Sequence, residues 1–162
     1  MIKHGLIYML VISSVLLGCD KQETKVEKLK LTPPPAEFIS PYRFLKFRVS
    51  AASDILKVAP DANGSIVTKT SQYETRYESN DGVITYSEVA LLETAPCSQT
   101  QEFDPIVLLD AVAVDFRRLE PQMRMTHVAT YYDHNEKLKV RVICQQDGMP
   151  FIVAFSHKYY GY

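Results

Sequence analysis

Alternating apolar and polar residues in the middle of the chain constrain its fold more than any other feature. Tyr73, Thr75 and Tyr77 alternate with charged residues up to the turn sequence Asn80-Asp81-Gly82, and residues 83–92 then run back. Residues of these turn types tolerate positive φ. Because successive side chains of a strand point to opposite faces, the segment predicts a β-hairpin.

Two other segments have the period of amphipathic helices. Ser40-Pro41 combines an N-cap with proline at the first helical position, and apolar residues then recur at spacings of three and four, which predicts a helix over 41–58. A strand over residues 45–49, where apolar and basic residues alternate, is an alternative. Asp104-Pro105 repeats the cap-plus-proline signal, and the apolar stripe behind it predicts a second helix over 105–119.

The C-terminal part of the sequence returns to the two-residue period. Its apolar runs, 123–132, 137–145 and 149–156, are separated by Asp133-His134-Asn135 and Gln146-Asp147-Gly148. They predict a three-stranded antiparallel meander whose apolar face packs on a helix. The order helix, hairpin, helix, meander therefore indicates an α+β fold in which two helices cover one face of an antiparallel sheet.

Length and charge narrow the class of protein. A chain of 162 residues is long enough for one ordinary domain, and 46% hydrophobic residues are enough to fill its core. Lysine and arginine number 18 against 19 acidic residues, so the sequence lacks the basic excess that binding to phosphate backbones requires. We therefore expect no nucleic-acid partner.

The N-terminus carries an apolar run of 12 residues, 6–17, behind a single lysine. As a helix the run spans about 18 Å, which is short against a bilayer core of about 30 Å. Its length and its abrupt change to charged sequence are typical of a secretory signal peptide. A buried core helix is the alternative.

The end of this run, Leu16-Leu17-Gly18-Cys19, resembles the lipobox of bacterial lipoproteins. In that class a signal peptidase cuts before the cysteine after diacylglycerol has been attached to its sulfur. The resemblance implies a signal peptide over 1–18 and a lipidated mature N-terminus at Cys19, on a membrane and facing the periplasm. Asp20 resembles the residue that retains some lipoproteins at the inner membrane, and the inner and outer membranes both stay open.

Residues 19–39 separate the expected anchor from the folded part of the chain. They are mixed in charge and contain Pro33-Pro34-Pro35, which favours an extended polyproline geometry. We interpret them as a tether and assign the single α+β domain to 40–162. A disordered leader of no selected length is an equally simple interpretation.

With Cys19 lipidated, Cys97 and Cys144 are the remaining cysteines. A pair of cysteines in an exported bacterial domain is expected to be oxidised, because that compartment is kept oxidising. The sequence therefore predicts a disulfide between them, with two buried free thiols as the alternative.

A search for catalytic chemistry finds no constellation of residues. No two of His127, His134 and His157 have metal-ligand spacing, and motifs for serine nucleophiles, zinc sites and phosphate cradles are missing from the sequence. Glu74 and Glu88 could in principle converge across the hairpin as paired acids, but nothing distinguishes this pair from the other acids, and we interpret them as a solvated acidic sheet edge. We expect no enzyme, metal or cofactor, and an enzyme with an unrecognised site is the alternative.

Tyrosine is the most frequent aromatic residue in this chain, which has ten tyrosines and no tryptophan. Tyrosine combines apolar area with a hydroxyl group and suits partner-binding surfaces, although it also suits half-buried antiparallel strands. The candidate partner-binding residues are Tyr73, Tyr77, Tyr86, Tyr159, Tyr160 and Tyr162.

Together these features predict a non-catalytic, membrane-anchored lipoprotein that binds an envelope protein, as a pilotin-like accessory or a subunit of an envelope complex. The alternative is a periplasmic inhibitor or immunity protein that blocks a hydrolase or toxin through the acidic middle of the chain or the loop 98–103.

Overall fold

The strands of this protein form one antiparallel sheet. The computed structural model describes residues 38–157, which contain two α-helices, two short 3-10 turns and seven strands. The strands are β1 (Ile66–Lys69), β2 (Tyr73–Asn80), β3 (Val83–Leu91), β4 (Leu119–Met125), β5 (Val128–Asp133), β6 (Leu138–Ile143) and β7 (Ile152–His157). The helices are α1 (Val49–Leu56) and α2 (Pro105–Asp110), and the 3-10 turns are Pro41–Phe44 and Phe116–Arg118.

The sheet has the strand order β1-β2-β3-β7-β6-β5-β4, with every neighbouring pair antiparallel. The predicted hairpin is confirmed as β2 and β3, which turn at Asp81 and Gly82 with φ of 51° and 73°. The α+β class is also confirmed. The sheet is larger than predicted, because the hairpin and the meander join into one sheet through the pairing of β3 with β7.

One face of the sheet is the core face, onto which the helical segments pack. A cross-strand row on that face consists of Tyr77, Ser87, Phe155, Val140 and Tyr131. The 3-10 turns reach this row through aromatic pairs, Phe44 with Tyr77 at 5.5 Å, Tyr42 with Phe155 at 6.0 Å and Phe116 with Tyr131 at 5.6 Å between ring centroids. Burial of these rings supplies much of the hydrophobic stabilisation.

The first predicted helix, 41–58, is wrong in its extent. The segment forms a 3-10 turn and then α1, and between them Lys46 has a φ of 74°. The N–H of Lys46 donates to the carbonyl of Ile84 at 2.8 Å, and the N–H of Ile84 donates to the carbonyl of Phe47 at 2.9 Å. Pairing with the start of β3 therefore interrupts the helix, and the alternative strand survives as an isolated bridge between Arg48 and Val83.

The second predicted helix, 105–119, begins where expected. The side chain of Asp104 accepts a hydrogen bond from the N–H of Ile106 at 3.0 Å, as the N-cap signal predicts. The helix ends at Asp110, well before 119, and Ala113 follows in the left-handed region with a φ of 56°.

Tertiary hydrogen bonds explain this early end. The hydroxyl of Tyr73 donates to the carbonyl of Ala111 at 2.9 Å, and the hydroxyl of Ser40 donates to the carbonyl of Val112 at 3.2 Å. These carbonyls would otherwise accept the next intrahelical bonds. The chain after α2 is thus tied to the sheet and to the N-terminal segment instead of continuing as helix.

The C-terminal meander has four strands and not three. The predicted strand 123–132 divides into the end of β4 and most of β5, with a turn at Thr126-His127. Met123 and Met125 consequently lie on the face opposite to Ala129. The turn has only two residues and contains no glycine or proline, so the alternation of apolar and polar residues in the sequence gives no sign of it.

Candidate partner-binding face

The predicted disulfide between Cys97 and Cys144 is confirmed. The two sulfurs are 2.06 Å apart and the Cα atoms 5.7 Å apart. Cys97 lies in the loop after β3 and Cys144 directly follows β6, and both are buried. The bond therefore joins the long loop before α2 to one end of the sheet.

The loop 98–103 is fastened beside this disulfide. The side-chain amide of Gln99 donates to the carbonyl of Gln145 at 2.6 Å and to that of Cys144 at 3.3 Å. The backbone N–H of Gln99 donates to a carboxylate oxygen of Asp147 at 2.5 Å. This candidate loop is thus held against the turn between β6 and β7.

Two of the candidate tyrosines lie in the core. The side chains of Tyr73 and Tyr77 point to the core face, where these residues are 5% and 2% exposed. Burial raises the pKa of both phenols above the usual value of 10. Their rings are therefore packing residues and are not accessible to a partner.

Of the other candidates only Tyr86 lies among the described residues, on the opposite face of the sheet. Cys19, the signal peptide 1–18 and the tether up to residue 37 lie outside them, as do Tyr159, Tyr160 and Tyr162. The helices that residues 38–157 contain are too short to cross a bilayer.

The face opposite the core face, called the open face below, is defined by strand register. All of the helix-to-sheet contacts given above are on the core face. Three cross-strand rows make up the open face, because directly opposed residues share a face. The rows are Glu78-Tyr86-Ser156-Lys139-Tyr132-Glu120, Val67-Arg76-Glu88-Ala154-Arg141-Thr130-Met123 and Lys69-Glu74-Ala90-Ile152-Ile143-Val128-Met125.

Five neighbouring strands contribute apolar side chains to the last of these rows. This apolar row consists of Ala90, Ile152, Ile143, Val128 and Met125, and Met123 lies beside it. Met123 and Met125 are 47% and 48% exposed, and the other members are half-buried. With strands about 4.8 Å apart, the row is about 19 Å long. A continuous apolar row on a solvent-facing sheet is unusual for antiparallel strands, whose outer face is normally polar.

Charged and polar groups beside the apolar row are ordered by contacts with one another. The hydroxyl of Tyr86 donates to a carboxylate oxygen of Glu88 at 2.6 Å, and the guanidinium of Arg76 lies 3.9 Å from the other. Burial, and then the hydrogen bond to Glu88, raise the pKa of Tyr86 above its usual range. Ala154, the strand partner of Glu88 and of Arg141, is only 1% exposed. The polar part of the open face is therefore preorganised.

The charges of the open face balance. The bases are Lys69, Arg76, Lys139 and Arg141, and the acids are Glu74, Glu78, Glu88 and Glu120. A face with balanced charges has no strong electrostatic field of either sign. It is therefore better suited to binding a protein than to binding a polyanion.

The three histidines among residues 38–157 lie in different parts of the sheet. His134 contacts Glu120 at an exposed position, His127 lies in the turn before β5, and His157 ends β7. Across the described residues no three histidine, cysteine or acidic side chains are grouped as metal ligands.

A recess on the core side is lined by residues including Tyr42, Asp115, Arg118 and Asp133. The space open to the centre of a water molecule in this recess is about 20 Å³. The recess therefore holds about one water molecule and is too small for an organic substrate. Its charged groups are paired, because the guanidinium of Arg118 lies 3.5 Å from Asp133 and 3.3 Å from Glu136. This arrangement stabilises the turn after β5.

Comparisons with known proteins give no family assignment. No protein-family model and no curated protein matches the chain. Among solved structures the chain aligns with a cysteine-rich secretory protein from Staphylococcus aureus, at 11% identity and a TM-score of 0.36. The alignment covers 79% of this chain and 47% of that one, so the chain spans about half the length of that protein.

Sequence reasoning missed the apolar row because it assigned each strand one apolar face. The signal was present in β6, where Ile143 has the parity of Lys139 and Arg141, and in β7, where Ile152 has the parity of Ser156. Odd and even positions of a strand point to opposite faces of the sheet. Apolar residues at both kinds of position in neighbouring strands therefore indicate that the outer face is also partly apolar.

Proposed function

We propose that this protein is a lipoprotein of the bacterial envelope, anchored through Cys19, that binds another envelope protein through the open face of its sheet. It acts as a non-catalytic accessory or subunit of a larger complex. The observation that carries this proposal is the apolar row with Met123 beside it, an apolar surface on an otherwise well-packed sheet.

The composition of the open face supports a protein as the partner. The fully desolvated centre of a protein interface is apolar and its rim polar. The apolar row has this arrangement, because Glu88 and Arg141 lie in the row beside it, and Glu88 contacts Arg76 and Tyr86. Methionine side chains adapt to the shape of a partner and are common on binding surfaces. Tyrosine and arginine are enriched among the residues that contribute most to binding.

Both edges of the sheet are poorly suited to strand addition. Strand β1, at one edge, has only 4 residues. Strand β4, at the other edge, carries Pro121 and has an irregular register between Pro121 and Met123. Very short edge strands offer little backbone for pairing. Proline and a bulge both obstruct pairing with a further strand. The partner therefore docks on the face of the sheet and not along its edge.

Capture from the membrane tests this binding surface. The tagged lipoprotein is cross-linked in cells, extracted in detergent and purified, and its co-purifying proteins are quantified. Replacement of Met123 and Met125 by glutamate places two charges at the end of the apolar row, and we expect at least a tenfold loss of the captured partner. Ile106→Glu is the matched control, since Ile106 is 40% exposed on α2, away from the open face.

The result that contradicts the proposal is equal capture by the methionine variant and the control. The anchor is tested separately by incorporation of labelled palmitate into the wild type and the Cys19→Ala variant. Labelling of the alanine variant would assign the lipid to a different residue.

An inhibitor or immunity protein is the second candidate, and the fastened loop 98–103 favours it. A rigid loop loses little conformational entropy on binding, which is how loops that block enzymes gain affinity. Gln101 and Glu102 are exposed on this loop. If their replacement by alanine abolishes capture while the methionine variant retains it, the loop is the binding surface.

A further inference from the structure

The charges of the open face are divided unequally between its two halves. Strand β7 is the middle strand of the sheet, with three strands on each side of it. The half made of β1–β3 carries three acids and two bases, and the half made of β4–β6 carries two bases and one acid. Next to β7 the contrast is direct, because Glu88 on β3 and Arg141 on β6 are the two strand partners of Ala154. An acid and a base thus lie at equal distances, about 4.8 Å, on either side of the central strand.

Arg141 has no carboxylate partner within its own domain. It is half-buried on the open face, and among residues 38–157 no acidic side chain forms an ion pair with it. A charge that is partly removed from water is stabilised by a partner of opposite sign. Its guanidinium group is therefore available to a carboxylate that comes from another molecule.

We propose that the open face binds a second copy of this chain, face to face, about a two-fold axis that runs along β7. This axis lays β3 of each copy over β6 of the other, so Glu88 and Arg141 meet at two equivalent contacts. In the apolar row Ile152 meets its own equivalent, and Ala90 meets Ile143. The inference rests on the proposed function, in which the open face docks on a protein. It names a second copy as the occupant of that face when the envelope partner is not bound.

The charge pattern selects this axis. A two-fold axis across the strands would place Glu88 on Glu88 and Arg141 on Arg141. It would also lay the apolar row over the row that contains Glu78, Lys139 and Glu120. Like charges in contact and charged groups against an apolar surface are both unfavourable. The axis along β7 avoids both, and it gives the aligned packing, with strands about 30° apart, that two stacked sheets usually adopt.

The centre and the size of the face fit such a contact. Ala154 lies on the axis and is 1% exposed, so its small side chain leaves room for Glu88 and Arg141 beside it. Rows of six, seven and seven residues give 20 residues on each copy. Stable interfaces have about 20–30 residues on each side. The face is therefore at the lower end of the size that a dimer requires.

The same axis lets one membrane hold both copies. Phe38, where the described chain begins, packs on Tyr73 with 4.7 Å between ring centroids. Tyr73 is next to Glu74, which is in the apolar row's own cross-strand row, so the chain enters at that end of the sheet. A two-fold axis along β7 leaves both entry points at the same end of the dimer. Anchoring in one membrane raises the local concentration of the copies, so an interface of modest size is sufficient.

Exchange of charges between two copies tests the contact. Two full-length lipoproteins with different tags are produced in the same cells and extracted in detergent, and one tag is captured while the other is quantified. Copies that both carry Glu88→Arg, or both Arg141→Glu, place like charges at the two contacts, and capture should fall at least tenfold. A Glu88→Arg copy together with an Arg141→Glu copy has opposite charges at both contacts again. Capture of this mixed pair should return to near the wild-type level.

Asp54→Arg is the matched control for these charge changes. Asp54 is exposed on α1, whose buried residues pack in the core on the other side of the sheet. Two copies of this variant should capture each other as the wild type does. All variants keep Cys19, so shared detergent micelles raise capture equally in every combination.

Cross-linking in the intact membrane gives a second measurement that leaves the charges unchanged. Ile152→Cys places a thiol beside its own equivalent on the axis, within reach of a short bismaleimide. Val67→Cys is the control, because Val67 is 42% exposed but lies on β1, three strands from β7. Its two equivalents are about 29 Å apart across the dimer. We expect cross-linking to be at least tenfold faster at position 152.

Loss of capture that the mixed pair does not restore overturns the proposal, as does equal capture in all combinations. Equal cross-linking rates at positions 152 and 67 also overturn it. Should Glu88→Arg fail to fold, the cross-linking rates decide alone. The proposed function has its own readout, the envelope partner captured by the Met123 and Met125 variant. If that partner is lost from the methionine variant while the copies do not capture each other, the dimer is refuted and the docking face stands.

Discussion

Reduction of the Cys97–Cys144 disulfide should destabilise the domain strongly. The bond closes a loop with a sequence separation of 47, so the loop-entropy relation gives about 14 cal/mol/K, or about 4 kcal/mol at 25 °C. A domain of this size changes its melting temperature by about 3–5 °C per kcal/mol, so we expect a fall of about 12–20 °C. Typical domains have only about 5–15 kcal/mol of stability, so the loss is large.

The assay compares oxidised and reduced wild-type protein in urea, followed by far-ultraviolet circular dichroism. The side chains are then identical apart from the bond, which avoids the cavity that alanine would leave at the buried Cys144. The slope with urea should also rise on reduction, because an uncrosslinked unfolded chain exposes more surface.

Local contacts need a separate control, since reduction could also loosen the loop 98–103. The Gln99→Ala variant, measured while oxidised, removes the two side-chain hydrogen bonds to the β6–β7 turn and should cost about 1–2 kcal/mol. A difference below about 1.5 kcal/mol between oxidised and reduced protein, with unchanged native dichroism, would refute the entropic reasoning.

Three smaller perturbations follow from the described contacts. Ala113→Gly should stabilise the protein by about 0.5–1 kcal/mol in urea unfolding, because Ala113 holds a φ of 56° that glycine adopts without strain, and no gain would contradict this. Tyr73→Phe should cost about 1–2 kcal/mol, since the carbonyl of Ala111 loses its donor, and a neutral result would mean that water replaces it. Burial, then the charge of Lys46, lower the pKa of His157 below 6.5, so the unfolded chain binds the proton more readily. Stability should fall as the pH drops below about 6.5, and urea midpoints between about pH 7.5 and 5 should show a weaker fall in His157→Gln.

The hairpin could be predicted from the sequence because its signals are local. Alternation and the Asp81-Gly82 turn lie within one stretch of chain, and each specifies the same register. The Cys97–Cys144 disulfide could be predicted for a different reason. The chain has three cysteines, and the expected lipidation of Cys19 leaves Cys97 and Cys144 as one pair. Neither prediction required knowledge of distant contacts.

The helix lengths could not be predicted, because distant residues determine where the helices stop. The backbone of Ile84 accepts a hydrogen bond from the N–H of Lys46 and donates one to the carbonyl of Phe47. The hydroxyl of Tyr73 donates to the carbonyl of Ala111. These partners are 38 positions away in each case, counted from Lys46 to Ile84 and from Tyr73 to Ala111. The apolar period continues through both breaks, since the residues beyond them still face the core.

The candidate site was predicted only in part for a related reason. Tyrosine on the hairpin indicated a binding surface, but strand parity places Tyr73 and Tyr77 in the core and Tyr86 on the other face. The apolar row needs the pairing of β3 with β7, which brings Ala90 opposite Ile152. No local pattern specifies which two strands of an antiparallel sheet become neighbours.

The position of β7 bears on how the domain assembles. Strands β1–β3 pair with one another, and β4–β6 pair with one another, but β7 is the strand that lies between the two groups. It is also the last described strand to leave the ribosome. Until β7 is available, β3 and β6 each have one unpaired edge. A chain that ends before Ile152 would therefore expose two further strand edges, which can pair with other chains, in place of one continuous sheet.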